Sequence, residues 1–333
     1  MAPTLPTLRD VAHQAGVSIA TVSYVLNGRA SSTKTISEAT RQRVIQAVAE
    51  LGYAPNQTAR HLRRQKTERI CIVLPRLGVP YYEILCQHVE AVAEQHKYSV
   101  IISLASSREQ EAEVLEQLQR RLADGVLVVH GSWKAEELER LAASGVAVTA
   151  MHNALQGRGF DVVRTTEEEA FYQAFCYLLQ KGYRQVVCFT AQNDANDTRF
   201  EAYQRALHTF HLPLDERLVI PTPANRKETY AILERLLRQE QPPDAIFAGS
   251  DMVAIATLWA ARDVGVSVPE DIVVIGSGNI PEGEIASPPL TTVGPTSLDF
   301  RDVAELLLER LHNPEQPERT LLREWELIIR RTA

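Results

Sequence analysis

The chain of 333 residues is 45% hydrophobic and 23% charged, ordinary for a soluble globular protein and long enough for two or three domains with ample core. Its formal charge of −7 is the wrong sign for a chain that would bind nucleic acid along its whole length. Cys71, Cys86, Cys176 and Cys188 lack C-x-x-C spacing and read as buried small hydrophobes in a reducing compartment; with no membrane-length apolar run and no signal-peptide pattern in residues 1–10, a cytoplasmic protein without a membrane partner is expected.

Taken in order, Leu8, Val11, Ala12 and Ala15 fall at i, i+3, i+4 and i+7, which predicts one short helix with Thr7 as its cap. Gly16 supplies a turn that needs positive φ, and Ser18 caps a second helix whose inward positions are Val22 and Val25 or Leu26. That leaves Ile19, Ala20, Thr21, Ser23 and Tyr24 facing outward, a surface of small and hydroxyl side chains suited to the major groove. An ordinary helical hairpin shares this spacing. A third amphipathic helix from Ser37 to Leu51, ended by Gly52, weakens that alternative because three helices can enclose a small core.

Pro55 and Asn56 then open a short basic helix with one apolar residue, Leu62, among Arg60, Arg63, Arg64 and Lys66. A lone leucine in such a segment predicts a wedge into the minor groove, with Arg60, Arg63 and Arg64 on flanking phosphates. Counting by segment removes the objection raised by net charge. Residues 1–66 hold nine Lys/Arg against three acids, a surplus of six positive charges, while the remainder holds 26 against 39, or −13. A basic module on an acidic body is the footprint of a protein that meets phosphates at one end only.

Beyond Lys66, β-branched runs at Ile70–Leu74, Val100–Leu104, Val126–Val129, Val146–Val148, Val186–Thr190, Ala245–Ala248 and Ile272–Ile275 alternate with amphipathic segments such as Tyr82–His96, Glu109–Leu122, Glu168–Gln180, Thr198–Phe210, Lys227–Gln239 and Met252–Val264. This is the pattern of parallel, doubly wound sheets. The length calls for two α/β subdomains with a cleft between them. A strand-like stretch from Leu322 to Arg331 ends the chain without a heptad tail.

The runs Thr7-Leu8-Arg9-Asp10-Val11-Ala12, Ala15-Gly16-Val17-Ser18, Thr21-Val22-Ser23, Val25-Leu26-Asn27-Gly28, Glu50-Leu51-Gly52-Tyr53, Pro55-Asn56 and Ala59-Arg60-x-Leu62 together resemble the LacI/GalR family of bacterial transcription regulators. Two departures stand out: the Asn27–Thr40 connection is longer than usual, and Tyr24 stands where many members have arginine. In the core, Asp124-Gly125-Val126, Arg199-x-x-Ala202-Tyr203, Ser250-Asp251-x-x-Ala254 and Pro288-Pro289-Leu290-Thr291-Thr292-Val293 are similar to the same family. The resemblance implies a small all-α helix-turn-helix headpiece (1–54), a hinge helix and linker (55–68) and a periplasmic-binding-protein-like effector-binding and dimerisation core (69–333). It also implies three crossings between subdomains, near Asp161, Pro288 and the C-terminus.

The expected function is a dimeric, sequence-specific repressor of a palindromic double-stranded DNA operator, controlled by a small molecule in the core cleft. For the core alone, a sugar dehydrogenase, a secreted solute-binding protein or a regulator answering to a protein partner are the alternatives. Gly276-Ser-Gly-Asn-Ile-Pro281 fails as a dinucleotide fingerprint at its third glycine, with no helix start expected after it; no Walker A or G-x-S-x-G run occurs, so neither cofactor nor catalytic residue is expected. His208-x-x-His211 lacks a third ligand and reads as a solvated face rather than a metal site, and the acids Glu136-Glu137 and Glu167-Glu168-Glu169 likewise read as solvated.

Ile19, Ala20 and Tyr24 are expected to set operator preference and Thr7, Ser18, Thr21, Ser23 and Asn27 to anchor phosphates, while the resemblance adds Leu8, Asn56, Ala59, Arg60, Leu62 and Arg63 to the DNA set. For the effector it implies Tyr81 and Tyr82 on the loop after the first strand, Arg199, Ser250, Asp251, Gly278 and Asn279. The family's usual G-F-D-D turn is here Gly276-Ser277-Gly278-Asn279, and its usual Asp ahead of the Glu168 helix is Thr166. Losing those carboxylates argues against a neutral hexose, and an unopposed Arg199 would favour a phosphorylated or acidic sugar derivative, unless Arg199 pairs with Asp197 or Asp251.

Overall fold

The structure, a computed structural model, describes residues 6–27, 36–53, 66–190, 197–223 and 225–333. It divides into two compact units, Met1–Lys66 and Thr67–Ala333.

In the first unit, α1 (Leu8–Ala15) opens on a reciprocal cap. Thr7 Oγ1 accepts from the Asp10 backbone N–H, and Asp10 Oδ2 accepts from Thr7 N at 2.7 Å. Gly16 ends the helix at φ 64°, a conformation a side chain would strain. Ser18 Oγ accepts from Thr21 N at 3.1 Å and so caps α2 (Ile19–Asn27), and Ser37 caps α3 (Glu38–Leu51) in the same way. Val11, Val22 and Val44 are fully buried at the centre of the three helices, with Ala12, Ala15, Val25, Ala47 and Tyr53 around them. In α3 Ile45 faces out at 47% exposure despite its apolar side chain, and Ala47 takes the inward place. The connection between Asn27 and Thr40 lies largely outside the described residues, as does most of the segment 55–68 expected to form the hinge.

The second unit holds two six-stranded sheets. The first contains β1 (Arg69–Leu74), β2 (Ser99–Leu104), β3 (Gly125–Val129), β4 (Ala147–Met151), β5 (Asp161–Thr165) and β11 (Thr320–Arg323), in the order β11-β5-β4-β3-β1-β2, parallel throughout. The second contains β6 (Val186–Thr190), β7 (Val219–Pro221), β8 (Ala245–Phe247), β9 (Val273–Ser277), β10 (Thr291–Pro295) and β12 (Trp325–Ile328), in the order β12-β10-β9-β8-β6-β7, with only β12 antiparallel. Successive residues point to opposite faces, and both faces are covered except at the edge strand β2, where Ile102 and Leu104 are exposed. In β1, Ile70, Ile72 and Leu74 meet α4 (Pro80–Gln95), while Cys71 and Val73 join the cluster under α5 (Arg108–Gln119) and α6 (Ala135–Ala143). In the second sheet, Val186, Cys188 and Phe247 pack under α7 (Glu167–Gln180) and α8 (Thr198–Thr209), and Val187, Ile246 and Val274 under α9 (Arg226–Leu237) and α10 (Asp251–Val264).

Three crossings join the subdomains, and the second lies away from where it was expected. The first follows β5, close to Asp161 as expected. The second lies beyond Pro295, not near Pro288, because β10 still belongs to the second sheet and the next helix, α12 (Arg301–His312), packs on the first. At the third, the strand-like stretch Leu322–Arg331 proves to be two strands in different sheets: Arg323 pairs with Thr165, and Trp325 with Pro295. The crossings are laced together, since Thr166 Oγ1 accepts from Trp325 N at 2.8 Å and Thr166 N donates to the Arg323 carbonyl oxygen. Trp325 stands at this junction, 5.9 Å from the Tyr81 ring of one subdomain and 6.0 Å from Phe171 of the other.

Candidate functional site

On the headpiece, Ile19, Ala20 and Tyr24 lie exposed along one face of α2, with Ile19 at 45% and Tyr24 at 44% exposure, and Ser18 at the helix entrance. Thr21 and Ser23 are half-buried beside them, and Asn27 closes the helix. Thr7 donates its hydroxyl proton to Asp10 Oδ2 at 2.7 Å, so its side chain serves the cap, while Leu8 packs partly against the headpiece core. Asn56, Ala59, Arg60, Leu62 and Arg63 lie outside the described residues.

In the core, the loops at the carboxyl ends of β1, β7, β8 and β9 surround a cavity of about 410 Å³. Doubly wound sheets place ligands at these strand ends, where neighbouring connections diverge to opposite sides. Arg76, Gly78, Val79 and Tyr81 line it from the first subdomain, and Thr222, Arg226, Tyr230, Ser250, Met252, Trp259 and Ser277 from the second. Tyr81 and Tyr82 are not on a loop: Pro80 starts α4, so both lie in its first turn. Of the residues expected to hold an effector, Tyr81, Ser250 and Asp251 line the cavity, whereas Tyr82, Arg199, Gly278 and Asn279 do not.

Several of these side chains are already spent within the fold. Asp251 is 1% exposed; its Oδ1 accepts from Thr292 Oγ1 at 2.5 Å and its Oδ2 from Ile280 N at 2.8 Å, so it braces the β9–β10 connection. Burial pushes its carboxyl up to about 6 despite those hydrogen bonds. Asn279 donates through Nδ2 to the Pro295 carbonyl and accepts at Oδ1 from Arg330, both at distances below 3 Å. Gly278 is buried at φ 127°, its N–H on the Val293 carbonyl. A four-residue helix, α11 (Pro281–Glu284), begins directly after this turn, contrary to the expectation that none would.

Arg199 is not unopposed. Asp197, the residue capping α8, accepts from Arg199 Nε at 2.7 Å, and Arg199 Nη1 donates to the Gly249 carbonyl at 2.8 Å. Two residues separate cap and arginine, which brings their side chains together as soon as the helix starts. The cation therefore offers much less to an anionic ligand than the sequence suggested.

Glu167 is the residue that sequence reasoning missed. In sequence it reads, with Glu168 and Glu169, as solvated, and those two are exposed, but Glu167 at the head of α7 turns inward and accepts from Asn153 Nδ2 at 3.3 Å. Asn153 Oδ1 accepts in turn from Thr165 N at 2.7 Å, so the end of β4, the first crossing and α7 converge on one half-buried polar knot. Glu137 is likewise not idle, for it accepts from Arg108 and from Lys134 N. Burial pushes the Tyr82 hydroxyl up to about 12, and no such ring presents an ionised oxygen near neutrality.

Burial also pushes the Glu167 carboxyl up to about 7, against the opposing pull of Arg199. A carboxyl raised above its ordinary 4.5 binds its proton more tightly in the folded state, so stability falls as pH rises from 4.5 to 7 and stays low above that. Glu167→Gln is expected to stabilise the core by up to about 3 kcal/mol at pH 8 and by less than about 1 kcal/mol at pH 5. Urea unfolding at the two pH values measures this; an equal effect at both would show that Arg199 fully matches the charge.

Among the described residues, no cluster of three His, Cys, Asp or Glu side chains could hold a metal, and no helix is long and apolar enough to cross a membrane. Comparison with known proteins adds the family. A model described as "Bacterial regulatory proteins, lacI family" matches residues 7–56, and one described as "Periplasmic binding protein-like domain" matches residues 175–333. The chain is 29% identical over 320 residues to catabolite control protein A of Priestia megaterium, covering 95% of each. It is 29% identical over 334 residues to the HTH-type transcriptional repressor PurR of Vibrio atlanticus (strain LGP32), covering 99% of each. Among solved structures, the transcriptional regulator CelR in complex with cellobiose is similar at 28% identity and a TM-score of 0.66, over 98% of this chain and 100% of that one. The lac repressor dimer bound to operator and the anti-inducer ONPF has the same fold, with a TM-score of 0.76 at 21% identity and 99% coverage of both chains. The chain thus belongs to the lacI family of bacterial regulatory proteins, DNA-binding transcriptional regulators rather than enzymes, with a helix-turn-helix headpiece on a periplasmic-binding-protein-like core.

Proposed function

We propose that the chain is a homodimeric repressor that reads a palindromic operator through α2 of its two headpieces and is switched by a small molecule in the cavity between the core subdomains. The observation that carries this reading is the cavity itself: both subdomains line it, beside three laced crossings, so a ligand filling it prefers one arrangement of the subdomains over another. Ile19, Ala20 and Tyr24 read base edges, with hydroxyls of Ser18, Thr21 and Ser23 and the Asn27 amide toward the backbone, and Thr7 acts mainly as a cap. In the hinge, Leu62 wedges the minor groove while Asn56, Ala59, Arg60 and Arg63 follow the phosphates.

Dimerisation follows from reading length, since one three-helix headpiece covers too few base pairs. It is also supported by an apolar groove of about 530 Å³ on the second subdomain, lined by Ile255, Leu258, Trp259 and Ile285, of which Trp259 is 50% and Ile285 84% exposed. A second copy of the chain is the occupant this face suits. The relative bound to cellobiose supports a sugar or sugar derivative as the effector class.

The DNA half of the proposal is tested by selecting bound sequences from a random library. Wild-type protein is expected to return two inverted half-sites, and Tyr24→Arg an altered base at one position of each, because a guanidinium can grip guanine with two donors where a phenol has one. A selected sequence without inverted symmetry would refute the dimeric reading, and an unchanged consensus for Tyr24→Arg would refute its part in base recognition.

A further inference from the structure

Arg76 follows β1 in the first subdomain, and Arg226 opens α9 in the second; both line the 410 Å³ cavity. Arg226 Nη2 donates to the Gly78 carbonyl at 3.0 Å, which brings the second arginine onto the loop that carries the first. Of the core's other arginines, Arg199, Arg310, Arg319, Arg323 and Arg330 meet a carboxylate within the fold, whereas Arg121, Arg164 and Arg184 donate to backbone carbonyls and do not line this cavity. Among the described residues Arg76 and Arg226 meet none, and both are exposed into the cavity mouth. Among the described residues the one acid on the cavity wall, Asp251, is engaged by Thr292 and Ile280. Among the described residues, two cations from opposite subdomains therefore face one space with no free acid on its lining to balance them.

The geometry points to a ligand with a doubly charged anionic head, a phosphate monoester on a ring-sized body, held by Arg76 from one subdomain and Arg226 from the other. This inference rests on the reading of the cavity as the effector site and names the chemical class that the site takes. A guanidinium presents paired N–H donors that match phosphate oxygens, and Arg226 keeps free donors after serving Gly78. Two such groups balance a dianion, whereas a neutral sugar leaves both charges unmatched and a single carboxylate leaves one. Val79, Tyr81, Met252 and Trp259 give the cavity apolar walls, and Ser250 adds a hydroxyl to its lining, which suits a ring more than an extended polyol. Because the two arginines belong to different subdomains, a bridging phosphate favours the arrangement that holds them together, and this couples occupancy to the crossings beneath.

The test uses the full chain, with melting temperature and tryptophan fluorescence as readouts. The probes are inorganic phosphate, glucose 6-phosphate, ribose 5-phosphate and adenosine monophosphate, against glucose, ribose and glucuronate at equal concentration. At least one phosphate ester is expected to bind saturably and raise the melting temperature, with glucose, ribose and glucuronate at least tenfold weaker. Arg76→Gln and Arg226→Gln should each weaken that ester about tenfold or more, while Arg238→Gln on the outer face of α9 leaves it unchanged. Both cavity arginines are exposed, so the variants' melting temperatures without compound report that they fold. Equal or tighter binding of a neutral sugar or glucuronate, or a phosphate ester indifferent to both substitutions, overturns the anionic assignment. Ser250→Trp then separates the two readings: binding lost on filling the cavity leaves the effector site standing, and binding retained removes it as well. If no phosphate ester binds, the inference is overturned.

Discussion

Asp161→Ala is expected to lower the stability of the core by about 3–5 kcal/mol, the range for breaking a buried ion pair from one side. Asp161 is wholly buried and accepts from Arg310 Nη2 at 2.6 Å and Nε at 3.2 Å, and from Arg319 N at 2.9 Å and Nη2 at 2.8 Å. Arg310 is itself only 2% exposed, so removing the carboxylate strands a cation where water cannot reach it. Burial alone would push the Asp161 carboxyl up, but Arg310 and Arg319 outweigh it and hold the group below its ordinary 3.8. A carboxyl with a depressed folded value contributes its full stability above pH 3.8 and loses it only as pH falls further, through the folded value. Urea unfolding of wild type and variant at pH 7 reads the difference directly. A loss below about 1 kcal/mol would mean that the Pro317 and Gln316 carbonyls, which also accept from Arg310, satisfy it alone. Since Asp161 opens β5 and its partners lie on α12 and just before β11, the variant also loosens the strands that lead into the first and third crossings.

Val44→Asp is expected to abolish operator binding, by at least a hundredfold, while leaving the core folded. Val44 is fully buried against Val11 and Val22, and an unpartnered carboxylate there costs several kcal/mol. A three-helix unit of this size holds only about 3–5 kcal/mol in total, so the penalty is enough to unfold it. The second unit has its own hydrophobic clusters and keeps its melting transition. Gel shift on the selected operator, with thermal unfolding of the same sample, separates the two effects. Near wild-type operator affinity in Val44→Asp would sink the assignment of the headpiece as the DNA-reading unit, and loss of the core transition would sink its independence.

The features legible in the sequence are those governed by neighbours within about a turn of helix or a few residues of strand. Leu8, Val11, Ala12 and Ala15 announce a helix face because the period of 3.6 acts locally, and Thr7, Gly16 and Ser18 mark its ends through hydrogen bonds that span three or four residues. The alternating burial of β1 and β6 follows from the same kind of local rule, once both faces of a parallel sheet must be covered. Motif order then carried the family.

What a polar side chain is free to do was not legible, because it depends on groups brought from far along the chain. Asp251 looks available beside Ser250 until Ile280 and Thr292, 29 and 41 residues away, occupy both of its oxygens. Asn279 is taken by Pro295 and by Arg330, 51 residues on, and Glu167 differs from its neighbours Glu168 and Glu169 only in which way the first turn of α7 faces. The second crossing and the last strand are misread for a related reason: a strand's periodicity tells which of its faces are apolar, not which sheet it joins, so Leu322–Arg331 reads as one strand although Arg323 and Trp325 pair with different sheets. The sequence by itself determined the elements, the headpiece and the family; the tertiary structure decided which charges are cancelled inside the fold and which, at Arg76 and Arg226, are left facing the cavity, since charge balance is settled only where distant segments meet.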